Sequence, residues 1–251
     1  MTPALAANNP GLEAVVRAIL DGIAPPADIA PTITELRLGL ALISDARPLA
    51  GLTALRTLVL TRTRVADLTP LAGLTALREL DLKLTRIGDI TPLAGLTRLR
   101  SLILSFTGTE DIAPLHGLTR LESCYLTGTL VADVSPLAGL TGLERLDLGG
   151  TPLVDIAPLA GLTRLRSLEL ASTKVADLTP LAGMTDLEFL DLGDTPVSDP
   201  RPLLGLTRLR RLDVRGTRLT DLAALKGLRG CEIITASTMP RRRRQSDPPR
   251  K

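Results

Sequence analysis

The 251-residue chain is expected to fold as an α/β solenoid, a curved right-handed coil with a parallel β-sheet on its concave face and 3₁₀ or irregular arcs on its convex face. Three observations predict this. First, the stretch from Leu58 to Arg78, LVLTRTRVADLTPLAGLTALR, returns 22 residues later as LDLKLTRIGDITPLAGLTRLR from Leu80. The same register holds at Leu102, Cys124, Leu146, Leu168, Leu190 and Leu212, and it extends back to Leu36. A fixed period of this length marks units stacked one on the next. Second, apolar residues occupy the first and third positions of each unit, as in Leu80 and Leu82, which is the period of a strand with one buried face. Third, Ile87, Ile90, Leu93, Leu96 and Leu99 follow at intervals of three, a spacing that suits a 3₁₀-like return arc. One unit cannot offset its own ordering entropy, so burial against neighbours must hold the coil together.

Taken in order, residues 1–32 read as a helical cap and a proline-rich turn. Asn9 is placed to cap a helix that has Pro10 at its first position and Gly22 near its end. Leu12, Val15, Val16, Ile19, Leu20 and Ile23 share one face of that helix, with Glu13, Arg17 and Asp21 on the other. Residues 33–238 form the solenoid of nine full units and a terminal strand, Glu232 to Ala236. Residues 239–251, MPRRRRQSDPPRK, read as a disordered basic tail. Its last twelve residues carry a net +5 in a chain of net +3, so the rest of the chain is slightly acidic. Weak, nonspecific contact with polyanions is the most such a tail implies, because no aromatic is interleaved with its arginines.

Fixed polar positions within the unit read as turn chemistry. Proline recurs every 22 residues from Pro48 to Pro202 and is expected at the first position of a helical turn. Glycine three residues later, as at Gly73, Gly95 and Gly117, is expected to end that turn in the left-handed region. A threonine column runs from Thr63 to Thr217 between strand and arc. The run L-x-x-L-x-L-x-x-T-x-V-x-D-L-x-P-L-A-G-L resembles a leucine-rich repeat, nearest the 22-residue class of bacterial internalins and eukaryotic phosphatase-regulator subunits, over residues 36 to about 236. That family usually carries Asn where this chain has Thr. The resemblance implies a protein-binding module, either a regulatory subunit docking on an enzyme such as a phosphatase or a secreted bacterial effector or adhesion module.

Composition excludes several classes. No apolar run approaches a membrane span, and no secretory signal is read in residues 1–9. Cys124 and Cys231 lie about five coils apart, too far to bridge, which points to a reducing, cytoplasmic setting and leaves nonclassical export open. The single histidine, His116, has no fixed partner, and there is no phosphate loop or metal-ligand spacing, so neither catalysis nor a cofactor is expected. The aspartate column Asp45, Asp67, Asp89, Asp111, Asp133, Asp155, Asp177, Asp199 and Asp221 admits a cation ladder or a row of turn caps. The cation ladder needs a second oxygen-rich column or glycine-rich loops beside it, and neither is present, so turn capping is expected.

Information in such a repeat sits where the coils differ, on the outward strand positions. Val59 is an outward apolar residue of an earlier strand, and Ile103 and Tyr125, side by side, with Phe106 at a strand exit, form an apolar and aromatic centre. Asp147, Glu169, Asp191 and Asp213 make an acidic stripe beside it, with Phe189 alongside. These nine residues are the candidate partner-binding set. The expected partner is a protein or peptide with an apolar anchor and basic flanks, bound by a monomer. A further column, Glu144, Arg166, Glu188, Arg210 and Glu232, alternates in sign and is expected to pair across neighbouring coils.

Overall fold

The computed structural model describes residues 10–220 and 223–236. It opens with helix α1 (Pro10–Leu20), which buries Val15, Val16 and Ile19 against the first coil. Gly22, at φ +71°, closes it: its N–H reaches Ile19 O at 3.0 Å and that of Ile23 reaches Ala18 O at 2.8 Å. The helix therefore ends at Leu20 and stops short of Ile23, and both of these residues, assigned to its apolar face, are exposed. The Asn9 cap lies outside the described residues, as do Asp221 and the basic tail.

Ten three-residue strands follow: β1 (Glu35–Arg37), β2 (Thr57–Val59), β3 (Glu79–Asp81), β4 (Ser101–Ile103), β5 (Ser123–Tyr125), β6 (Arg145–Asp147), β7 (Ser167–Glu169), β8 (Phe189–Asp191), β9 (Arg211–Asp213) and β10 (Glu232–Ile234). They pair in parallel, in sequence order, as one curved sheet. The central residue of each strand, leucine in all but β5 (Cys124) and β10 (Ile233), points into the coil, and from β1 to β9 it is buried. Between strands, each coil returns through a short 3₁₀ turn such as Thr69–Leu71 or Ala157–Leu159.

From β1 to β9 the register is 22 residues, but β10 breaks it. Ile233 stands opposite Leu212 and Glu232 opposite Arg211, one residue earlier than the repeat dictates. Ile233 is thus an inward residue at the end of the core, not a concave-face one. The shift follows a unit with Gly230 at φ +75° and the partly exposed Cys231 where other units have a buried leucine.

Turn chemistry differs from the sequence reading in two ways. Proline is the second residue of the 3₁₀ turn, as Pro70 is in Thr69–Leu71; the N–H it lacks would be unpaired there too. The glycines at 73, 95 and 117 are not left-handed. That conformation belongs to the column just past each strand, at Leu40, Arg62, Leu84, Phe106, Gly128, Gly150, Ser172, Asp194 and Gly216. A non-glycine residue there costs ~1–2 kcal/mol. The threonine that follows fastens this turn: Thr85, Thr129, Thr151, Thr173 and Thr195 donate to the carbonyl three residues back at 2.6–2.7 Å. Each hydroxyl thus serves its own coil. Thr63 Oγ1 alone is buried without a partner among the described residues.

The aspartate column caps turns. Asp67 accepts the N–H of Thr69 at 2.8 Å, Asp133 that of Ser135 at 2.8 Å and Asp155 that of Ala157 at 2.7 Å, and the same bond recurs from Asp45 to Asp199. In the alternating charge column, Glu188 bridges Arg166 (3.7 Å) and Arg210 (3.4 Å) as expected. Glu144 instead meets Arg164 at 3.8 Å, and Glu232, carried over by the register shift, meets Arg211 at 3.8 Å.

Candidate functional site

The concave sheet presents the third residue of every strand outward, and register decides which of them meet. Ile103 of β4 stands opposite Tyr125 of β5, both half-buried, and Asp81 of β3 lies on the other side of Ile103. Val59 and Ile103 share a shallow depression of about 120 Å³ with Thr57, Glu79 and Asp81. Phe106 is not on this sheet. The left-handed turn at φ +58° carries it past the strand, where it is half exposed and its ring lies over Gly128 of the next coil. Ile103 and Tyr125 are therefore brought together, and Phe106 is set apart from them on the flank.

Asp147, Glu169, Asp191 and Asp213 stand in direct register on β6 to β9. They are not equivalent. Asp147 accepts the N–H of Gly149 at 2.9 Å and the hydroxyl of Thr127 at 2.6 Å, and Asp191 accepts the N–H of Gly193 at 2.8 Å. Burial pushes Glu169 above the usual carboxylate range, and the charges of Asp147 and Asp191 on either side add to this. Asp191 is raised too, by burial first and by Asp213. Asp213 is a buried residue held by Arg215, whose Nε donates to both carboxylate oxygens at 2.8–2.9 Å. Burial alone would raise Asp213, but the hydrogen bonds and charge of Arg215 hold it below its ordinary value. The stripe thus offers three partly exposed carboxylates and ends in an internal ion pair. Phe189 completes the arrangement: it is exposed at the start of β8 and lines a groove of about 270 Å³ with Ser167, Glu169, Asp191 and Arg211.

This architecture can be set beside known proteins. A family model described as leucine-rich repeats in two copies matches residues 141–183. The crystal structure of an internalin (inlF) from Listeria monocytogenes superimposes with a TM-score of 0.82 at 30% identity, over 88% of this chain and 66% of that one. The chain belongs to the leucine-rich-repeat proteins and is internalin-like. Internalin C2 of the same organism aligns at 26% identity with a TM-score of 0.71, over 90% of this chain and 92% of that one. The plant peptide hormone receptor RGFR1, solved in complex with RGF2, shares the fold at 18% identity and TM-score 0.68, over 81% of this chain and 36% of that one. The chain spans just under two thirds of the length of the inlF structure. None of the curated proteins compared with it matches.

Within the leucine-rich-repeat frame, the residue that sequence reading missed is Arg215, which pairs with Asp213. The signal was the pattern Asp-x-Lys/Gly/Arg at the strand exit, as in Asp81–Lys83, Asp147–Gly149 and Asp213–Arg215, where the carboxylate caps the second residue on. Among the described residues no three of His, Cys, Asp or Glu gather to hold a metal ion. Cys124 is buried in β5 and its thiol is pushed up to about 12 by burial, which removes it as a nucleophile. His116 is exposed after the 3₁₀ turn Ala113–Leu115. No helix among the described residues is long and apolar enough to cross a membrane.

Proposed function

We propose that the chain is a monomeric, non-catalytic protein-interaction module whose concave sheet takes a protein or peptide with an apolar anchor and flanking Lys or Arg. The observation that carries this is the register pair Ile103–Tyr125 beside the in-register carboxylates Asp147, Glu169 and Asp191. Val59 and Phe189 extend the apolar contact on either side. Aromatic anchors with an apolar body and polar tip concentrate binding energy, and a row of like charges steers an oppositely charged partner.

Affinity capture with the full chain tests this. Ile103→Ser with Tyr125→Ala should abolish capture and keep the fold, while Asp147→Lys with Glu169→Lys should slow association and flatten its salt dependence. Equal capture by wild type and both variants would move the site off the concave sheet.

The likeness to internalins supports the exported effector or adhesion reading over an enzyme-docking subunit, whereas two free thiols support a reducing, cytoplasmic compartment. Fractionation of a culture of the source organism into cells and supernatant separates them. The tail belongs to the same proposal in a minor role: deleting residues 240–251 should lower affinity for polyanions and leave thermal stability nearly unchanged.

A further inference from the structure

The concave sheet accounts for only part of the exposed apolar surface. Leu40, Leu42, Leu84, Phe106, Leu130 and Val154 are all exposed, and all lie in the segments that leave the strands, on one flank of the coil stack. Three of them, Leu40, Leu84 and Phe106, hold left-handed backbone at φ +57 to +66°, at the column position that Gly128, Gly150 and Gly216 fill elsewhere. A bulky apolar residue placed against the backbone's preference and left partly in solvent adds nothing to the buried core.

Cations are set among these side chains. Arg62, Arg64, Lys83 and Arg86 come from the same segments of the second and third coils, and none forms an ion pair among the described residues. The Lys83 ammonium stands 5.9 Å from the centre of the Phe106 ring. The aspartates that follow on those coils, Asp67 and Asp89, accept the N–H groups of Thr69 and Thr91 at 2.8 Å.

We propose that this flank, centred on Leu84 and Phe106, is a second docking surface, for a polypeptide segment whose apolar side chain is flanked by Asp or Glu. Its charge requirement is opposite to that of the concave sheet. Unpaired cations around an apolar centre are complementary to that chemistry. A membrane surface would call for a broad basic field, and here Asp67, Asp89 and Glu110 share the flanking coils. Single-stranded nucleic acid would call for several stacking rings, and the flank has one.

The test uses the full chain and four probes: a dye-labelled peptide with one leucine between paired glutamates, its counterpart with paired lysines, phosphatidylserine-containing vesicles, and polyuridine. Wild type should bind the glutamate peptide saturably. Phe106→Gly, which glycine's backbone freedom accommodates, should keep or raise the melting temperature, weaken the glutamate peptide at least tenfold and leave the lysine peptide unchanged. Lys83→Glu with Arg86→Glu, which leaves the turn residue in place, should weaken it equally. Absence of saturable binding, retained affinity in either variant, or preference for vesicles or polyuridine would overturn the proposal. Because the lysine peptide reports the concave sheet separately, failure on the flank is distinguishable from failure there.

Discussion

The ring of Phe106 lies where a side chain on Gly128 would have to go: a Cβ built on that glycine falls 2.6 Å from Cδ1 of the ring. Gly128 also sits at φ +63°. Gly128→Ala should therefore destabilise by more than ~1 kcal/mol, through backbone strain and collision together. In the background of Phe106→Gly only the strain should remain. Denaturant melts of the two single variants and the double variant would show that coupling; strict additivity would mean the ring does not rest there in solution.

Thr63 and Thr129 make a matched pair of probes. Both are buried, but Thr129 donates to Leu126 O at 2.7 Å and Thr63 Oγ1 has no partner among the described residues. Thr129→Val should cost ~1 kcal/mol, whereas Thr63→Val should be close to neutral or stabilising. Equal losses in thermal melts would contradict the local role given to the hydroxyls.

The turn-capping aspartates make a different forecast. Asp133→Ala should lower the melting temperature and Asp133→Asn, which keeps an acceptor for the Ser135 N–H, should lower it less. Calcium should leave the melting temperature of wild type unchanged, because a cation held only by the folded state would raise it. Hydrogen bonds from the Ser135 N–H and hydroxyl hold Asp133 below its ordinary value. Its contribution is therefore present above the unfolded aspartate range and disappears as pH falls through the depressed folded value. The gap between wild type and Asp133→Ala should close in acid.

Glu169 has the opposite sign. Its folded pKa is raised, so the folded state holds its proton longer than the unfolded chain does, and stability from this group declines as pH rises through that window. Glu169→Gln should raise stability at neutral pH, and the advantage should vanish below the ordinary glutamate range. For the same reason, capture of a basic partner should begin to weaken while pH is still above that range, as Glu169 takes up its proton, and Asp191 adds to the loss from above the ordinary aspartate range.

What could be read beforehand followed the leucines. Their spacing set the strands, the arcs and the pairing of Ile103 with Tyr125, because a parallel sheet of equal coils has one register. The reading failed where the landmarks thinned. Gly230 and Cys231 replace the residues that mark the unit, so the one-residue shortening before β10 and the inward turn of Ile233 were invisible. Left-handed backbone was sought at glycine, yet six of its nine places in the strand-exit column hold Leu, Arg, Phe, Ser or Asp, which hid the direction Phe106 takes. Likewise an outward aspartate looks free in a pattern, but Asp213 is buried against Arg215 two residues on.

Hydrogen–deuterium exchange of the full chain, alone and with a captured basic partner, tests the central claim most directly. Binding through the concave sheet should slow exchange in β4 to β8 and leave the 3₁₀ turns from Thr69–Leu71 to Thr179–Leu181 unchanged. Protection confined to those turns, with the strands unaffected, would contradict it.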